Sequence, residues 1–276
     1  MKGVLVVKKR MFKVLCMVLI IALLSPNVFA ATPAPEAPLA DEATVTRVKN
    51  EIAAGQITDM EDLFLVAYQH LGADLEEEGM TAYINEDGTL GFTQVISSSR
   101  AEDGRLVRDE YALTSILLVD KNGNQITNYS MLLRNANTRA SGGFNDIMVY
   151  ATHTAYYLER IAQREDLSRD FQARLSHMIT TISYGNNVYR ASRLEQRFDA
   201  KQDHGDVIDE GYQITENPIA KDHYYYPSGT KWYWSAITDF GGGINTYATI
   251  YISSPSRSFT LETHEDFYYD PTIPYP

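Results

Sequence analysis

Apolar residues recur at three- and four-residue spacing in two stretches between residues 41 and 78, and this spacing predicts two short amphipathic helices. The first stripe consists of Val45, Val48 and Ile52. The second consists of Met60, Leu63, Phe64, Ala67 and Leu71. Thr58 and Glu61 have the spacing of a capping box at the start of the second helix. We therefore predict a helical hairpin over 41–78, with both stripes packed into the protein's own core.

From residue 80 the hydrophobic period changes from that of a helix to two, which is the period of a half-buried strand. Asp87-Gly88 lies between two alternating runs, and Asn122-Gly123 repeats that arrangement. Each pair is a typical hairpin turn, so two hairpins are predicted. The unbroken apolar run Ile116–Val119 indicates a strand that is buried on both faces.

Further short alternating runs predict strands over most of the remaining chain. They cover residues 148–158, 171–183, 188–198, 211–215, 231–238, 244–253 and 258–263. The run 171–183 also fits a helix, so its assignment stays open. Many strands separated by glycine, proline and asparagine predict an α+β protein: the short N-terminal helical hairpin, followed by a mainly antiparallel β domain of sandwich or open-barrel type over residues 79–276.

Residues 1–30 have the pattern of a secretory signal peptide. Lys and Arg residues precede an apolar run over 14–24, and Val28-Phe29-Ala30 has the form of a cleavage site. That run is shorter than the roughly 18 residues needed to span a bilayer. The proline- and alanine-rich stretch 31–40 is typical of an extended spacer. We expect a secreted protein, extracellular or associated with the cell envelope, without a membrane span once the leader is removed.

Charge and cysteine content narrow the function classes. The five charged residues of 1–30 are all basic, so the net charge changes from −12 for the whole chain to −17 for residues 31–276. An acidic chain is repelled by phosphate backbones, which argues against nucleic-acid binding. Cys16, the single cysteine, lies in the predicted leader. The exported chain would therefore form no disulfide and use no thiol nucleophile.

No common catalytic or nucleotide-binding motif occurs in the sequence. It lacks the G-x-S-x-G nucleophile elbow, the phosphate-binding G-x-x-x-x-G-K-[ST] loop and the G-x-G-x-x-G fingerprint. His264-Glu265 begins like a zinc protease motif, but Tyr268 stands where the second histidine belongs. We expect no organic cofactor.

An acidic stretch over 199–211 is the one candidate metal site. Asp203, Asp206 and Asp209 provide the carboxylate oxygens that Ca²⁺ prefers. The alternative is an acidic loop that only faces solvent, and this is the commoner outcome for a run of charges.

His153 is the histidine with the most informative surroundings. Strand alternation places it on one face with Val149, Ala151, Ala155 and Tyr157. A base beside threonine hydroxyls fits a hydrolase, but a hydrogen-bonded core histidine is more common. A secreted hydrolase that uses carboxylates with His153 or His204 therefore stays an alternative function.

The stretch 223–243 concentrates aromatic residues, and its role has two interpretations. Tyr224, Tyr226, Trp232 and Trp234 are the candidate ligand-binding residues. Rigid aromatic side chains suit the stacking of sugar rings or the binding of an extended peptide. Because tryptophan is highly buried on average, packing in the core is the competing interpretation.

These observations favour a secreted, non-enzymatic binding protein at or outside the cell envelope. Its expected partner is a glycan, a cell-wall polymer or a protein. The carboxylate-dependent hydrolase is the first alternative, and a secreted toxin or membrane-active protein is the second.

Overall fold

In the computed structural model, the segment 41–78 folds into helices and is followed by eleven strands among the residues described. Those residues are 40–85, 88–100, 106–129, 147–163, 169–185, 188–201, 207–227, 235–236 and 243–268. The predicted leader, the spacer up to residue 39 and both tryptophans lie outside these ranges.

The two predicted helices form, and the residues at their ends explain where each helix begins or ends. Helix α1 spans Glu42–Ala54 and ends at Gly55, which adopts the left-handed conformation with φ of 66°. Such a residue is the usual helix terminator because glycine has no Cβ to clash. Helix α2 spans Met60–Gln69, and the single turn α3 spans Leu75–Glu78.

The predicted cap of α2 was wrong by one residue. Asp59 is the N-cap, and its Oδ1 accepts hydrogen bonds from the backbone N–H groups of Glu61 and Asp62. Thr58 instead donates its hydroxyl to Oε1 of Glu51 in α1, at 2.6 Å. Thr58 therefore connects the two helices and does not cap α2.

The strands form two antiparallel sheets. Their bounds are β1 Met80–Ile84, β2 Leu90–Arg100, β3 Leu106–Asp120, β4 Ile147–Gln163, β5 Arg169–Tyr184, β6 Arg190–Lys201, β7 Val207–Glu216, β8 Asp222–Tyr225, β9 Ser235–Ala236, β10 Gly243–Ser254 and β11 Arg257–Tyr268. The large sheet has the order β1-β2-β3-β4-β5-β8, with β9 also paired to β5. The small sheet has the order β11-β10-β6-β7. The predicted α+β fold with an antiparallel, sandwich-like body is confirmed.

Two hydrophobic clusters lie between the two sheets, and the helices cover the other face of the large sheet. Apolar side chains of β3, β4 and β5 pack against those of β6, β10 and β11. On the opposite face, the Tyr156 hydroxyl of β4 donates to the Ile52 carbonyl of α1 at 2.5 Å. This arrangement explains why Ile116–Val119 in β3 is fully buried: the large sheet is covered on both faces.

The hairpin predictions had different outcomes. β1 and β2 form the first hairpin, with Ile84 opposite Leu90. The second prediction holds for the turn alone: beyond Asn122-Gly123, Gln125 bridges Val119 and Ile126 N–H donates to the Leu118 carbonyl, but residues 126–129 form no strand. The strand that follows β3 is β4, which starts at Ile147 and pairs with the opposite edge of β3, where Val149 faces Val119.

The ambiguous stretch 171–183 is a strand, because it lies within β5. Ala173, Leu175, Met178 and Ile182 all face the small sheet, whereas Ile179 packs against Gly55 on the helix side. A β-bulge between Leu175 and His177 places Leu175 and Met178 on the same face at a spacing of three residues, and this produces the helix-like pattern. The short strand β8 was not predicted, although it carries Tyr224 and is followed directly by Tyr226.

Candidate functional site

Tyr224 and Tyr226 lie on the helix-facing side of the large sheet, at the strand β8. Tyr224 is 38% exposed and Tyr226 is 60% exposed, so neither tyrosine belongs to the core. Trp232 and Trp234, the other two candidate residues, lie outside the described residues, and their assignment stays a prediction. The described part of the predicted aromatic site is therefore a pair of exposed tyrosines.

A stack of three rings crosses the sheet and ends at Tyr226. Tyr156 of β4 and its cross-strand partner His177 of β5 have ring centroids 4.1 Å apart and planes inclined by 6°. The ring centroids of His177 and Tyr226 are 5.4 Å apart, and their planes are inclined by 22°. We call Tyr156, His177 and Tyr226 the aromatic stack; it leads from a buried ring to an exposed one.

The stack fixes the orientation of the exposed rings. Two parallel rings can have centroids 4.1 Å apart only when their faces are in contact. The rings of Tyr156 and His177 therefore stand with their faces turned toward the neighbouring strand. Tyr226 follows that orientation within 22°, and Tyr224 is parallel to Tyr226 within 3°.

Tyr224 and Tyr226 consequently present two parallel rings, with 6.2 Å between their centroids. We call this pair the tyrosine strip. One of its faces is directed toward β5, where His177 stacks on Tyr226. The other face is directed away from β5, at the edge of the large sheet.

The strip is held by the end of helix α1. The Tyr224 hydroxyl donates to the Gly55 carbonyl at 3.2 Å, and Gly55 itself packs under Ile179 of β5. Partial burial, followed by the negative charge of Asp222, raises the pKa of Tyr224. The hydroxyl therefore stays protonated and keeps its role as a donor. Burial also lowers the pKa of His177, so the middle ring of the stack is neutral at neutral pH.

Asp222 adds a carboxylate to the same face of β8, two residues before Tyr224. Its Oδ1 accepts a hydrogen bond from the Thr181 hydroxyl of β5 at 2.7 Å. A carboxylate can accept about four hydrogen bonds, so this contact leaves acceptor capacity beside the strip. A flat aromatic surface thus ends at a half-buried acidic group.

The small sheet also carries tyrosines on its outer face, and arginines lie over the rings of two of them. The Arg197 guanidinium lies 4.3 Å from the ring centroid of Tyr247, and Arg193 lies 5.6 Å from that of Tyr251. Cation–π pairs of this kind occupy the ring faces that a ligand would need. The tyrosine strip is therefore the better candidate for a ligand surface.

His153 lies between the two sheets and has no exposed surface. Its Nδ1 is 3.2 Å from Thr180 Oγ1 in β5, and its Nε2 is 3.1 Å from Thr246 Oγ1 in β10. Gln196 of β6 donates to Thr180, and Tyr157 is hydrogen-bonded to Thr246. The ring therefore connects the sheets through hydroxyl groups, as the core-histidine interpretation predicted.

The electrostatics of His153 agree with a structural role. Burial lowers the pKa of His153 from its ordinary 6.5 to about 3, so the imidazole is neutral at physiological pH. A neutral imidazole provides one donor and one acceptor, which matches its two threonine partners. In this conformation the ring cannot contact a substrate. His204, the other histidine considered for hydrolysis, lies outside the described residues.

The proposed calcium ligands are described only in part. Asp203 and Asp206 lie outside the described residues, whereas Asp209 is buried in β7 and its Oδ1 accepts from the backbone N–H of Glu210. Within the described ranges, no group of three or more metal-ligating side chains occurs. The calcium site stays a prediction.

A depression of about 800 Å³ borders helix α1, away from all predicted site residues. Glu42, Arg47, Glu51 and Thr58 are among its lining residues. Arg47 forms ion pairs with Glu51, at 2.6 Å, and with Asp62. The lining holds one arginine and two glutamates, so the depression is net acidic. None of the helices in the described ranges has the length and apolar character of a membrane span.

Sequence reasoning missed the residues that support the strip, namely Tyr156, His177, Thr181 and Asp222. They come together through the register of β4, β5 and β8, and β8 is too short to give a periodic signal. No family model matches the chain, and neither a curated protein nor a solved structure is significantly similar to it. The function is therefore inferred from the site.

Proposed function

We propose that this chain is a secreted, non-enzymatic binding protein that acts at or outside the cell envelope, with a glycan, a wall polymer or a partner protein as its ligand. The observation that carries the proposal is the tyrosine strip: two parallel, exposed rings, of which Tyr226 stacks on the more buried His177. Large, rigid aromatic surfaces bind ligands at low cost in side-chain entropy. The signal-peptide pattern of residues 1–30 supports the location.

Preorganisation distinguishes the strip from scattered surface tyrosines. The stack on His177 restrains Tyr226, and the hydrogen bond to Gly55 restrains Tyr224. Because these rings are ordered before binding, little further conformational freedom is lost when a ligand arrives. Exposed aromatic groups held in this way are typical of binding surfaces.

The test is retention on bacterial cell-envelope preparations. The full chain, expressed with its own leader and recovered from the medium, should sediment with the envelope fraction. The double variant Tyr224→Ala/Tyr226→Ala should lose about tenfold in retained protein, because the stacking surface is removed.

Tyr212→Ala is the matched control. Tyr212 is 52% exposed on β7 and points to the outer face of the small sheet, on the opposite side of the sandwich. This variant should be retained like the unchanged chain. Equal retention of the double variant and the unchanged chain, with thermal melting showing both folded, would refute the proposal.

A further inference from the structure

We infer that the tyrosine strip binds a neutral glycan chain laid along β8, with sugar rings stacked on Tyr226 and Tyr224 and a sugar hydroxyl donating to Asp222. This inference rests on the proposed function and specifies its ligand. Three features of the strip carry it: the shape of the ring surface, the occupied backbone edge and the local charge.

The shape of the strip fits sugar rings better than single side chains. Its two rings are parallel within 3°, with 6.2 Å between centroids, a spacing on the scale of a single pyranose ring. Sugar rings have apolar C–H faces and polar edges, so they pack flat on aromatic rings while their hydroxyls stay available. Two parallel rings at this spacing offer stacking faces to successive sugars of an extended chain.

The backbone edge of β8 is partly occupied, which argues against an extended peptide as the ligand. Ile182 N–H donates to the Lys221 carbonyl, so these two residues are a hydrogen-bonded pair of the β5–β8 ladder. Hydrogen-bonded and non-hydrogen-bonded pairs alternate along an antiparallel ladder, and this bond therefore sets the direction of every backbone group in β8. It directs the backbone groups of Tyr224 away from β5. The outward Tyr224 carbonyl already accepts from Gln213 Nε2 of β7 at 3.2 Å. A peptide that adds as a strand needs this acceptor.

Charge selects a neutral glycan over an anionic polymer. The carboxylate of Asp222 lies on the same face as the strip, and residues 31–276 carry a net charge of −17. Uronic acids and polyphosphate polymers would be repelled by both. Hydroxyl groups of a neutral sugar can instead donate to Asp222, and a hydrogen bond to a charged acceptor is stronger than one between neutral groups.

Isothermal titration calorimetry with defined oligosaccharides tests the inference. The probes are cellohexaose, chitohexaose, laminarihexaose and mannohexaose as neutral chains, with hexagalacturonate as the anionic chain. At least one neutral chain should bind the full, leader-processed protein, and hexagalacturonate should not. Tyr226→Ala should weaken the neutral interaction about tenfold, in line with the loss of one stacking contact.

Asp222→Asn and Tyr212→Ala complete the series. Asp222→Asn keeps an acceptor for Thr181 but removes the charge, so it should weaken sugar binding about threefold. Tyr212→Ala should leave the affinity within the error of the measurement. Absence of binding to every neutral chain overturns the inference, as does full affinity of a folded Tyr226→Ala variant or preferential binding of hexagalacturonate.

The outcomes separate this inference from the proposed function. If the envelope fraction retains the protein through the strip but no neutral hexasaccharide binds or competes, the glycan assignment is wrong and the binding function stands. If the strip variants are retained like the unchanged chain, both are wrong.

Discussion

At the scale of single residues, the contacts of His153 show what the sequence determines and what it leaves open. Alternation along β4 correctly predicts the face that His153 shares with Ala151 and Ala155. Its partners Thr180 and Thr246 follow 27 and 93 residues later in the chain. The pairing of β4 with β5 and the packing of the two sheets bring these residues together. The sequence pattern shows neither which residues pair between strands nor how the sheets pack.

The buried imidazole gives the folded state a defined dependence on pH. The pKa of folded His153 is about 3, below its ordinary 6.5, so between these values only the unfolded state binds the proton. The neutral, buried imidazole makes its full contribution to the free energy of unfolding above pH 6.5, and this contribution is lost as the pH falls toward 3. From pH 7.5 to 5.0 this loss amounts to about 2 kcal/mol.

His153→Gln should remove that dependence. Glutamine keeps a donor and an acceptor for the two threonines, so the variant should fold, with a cost of about 1–3 kcal/mol at pH 7.5 for imperfect hydrogen bonds. Urea unfolding at pH 7.5 and 5.0 measures the difference. His177, whose pKa is also lowered, is present in both proteins and cancels in the comparison. An equal loss of stability in both proteins would contradict the assignment.

At the scale of elements, the sequence pattern predicted the N-cap of α2 one residue too early, and the structure shows the cause. Thr58 and Asp59 are both good N-cap residues, and Thr58 alone has a glutamate at capping-box spacing. The structure uses Asp59 because Thr58 bonds to Glu51 across the helix pair. A tertiary contact thus decided between two local signals of similar strength.

Asp59→Ala should destabilise the protein by about 1 kcal/mol, because two backbone N–H groups at the start of α2 lose their acceptor. Asp59→Asn is the matched control and should change little, since asparagine caps equally well. Thr58→Ala should cost less than Asp59→Ala, because it removes only an exposed hydrogen bond. Thermal unfolding of the three variants ranks them, and a larger loss for Thr58→Ala would support the capping box instead.

The tyrosine strip is a second case in which tertiary contacts, and not the local sequence pattern, decide the outcome. Clustering of Tyr224 and Tyr226 is visible in the sequence, and their two-residue spacing predicts a shared face. That the face is the exposed, helix-facing side of the large sheet follows from the pairing of Ile179 with Tyr224. The β5 pattern 171–183 was ambiguous between helix and strand, so this pairing was not predictable.

At the scale of the whole molecule, the fold class was predictable and the layer arrangement was not. The number of strands, the β1–β2 hairpin and the doubly buried run Ile116–Val119 correctly indicated an antiparallel body with covered faces. Which face of which sheet the helices cover depends on side-chain packing across layers, such as the contact of Tyr156 with Ile52. That layering positions the end of α1 beside Tyr224 and so creates the site.

The central claim, that the tyrosine strip is the ligand surface, is tested most directly by chemical footprinting of tyrosines. The full, exported chain is nitrated with tetranitromethane alone and in the presence of envelope material, and modification at each tyrosine is quantified by mass spectrometry. Tyr226, at 60% exposure, and Tyr212, at 52%, should both react in the free protein. Envelope material should protect Tyr226 and leave Tyr212 reactive. Equal reactivity of Tyr226 with and without envelope material that retains the protein would place the binding surface elsewhere.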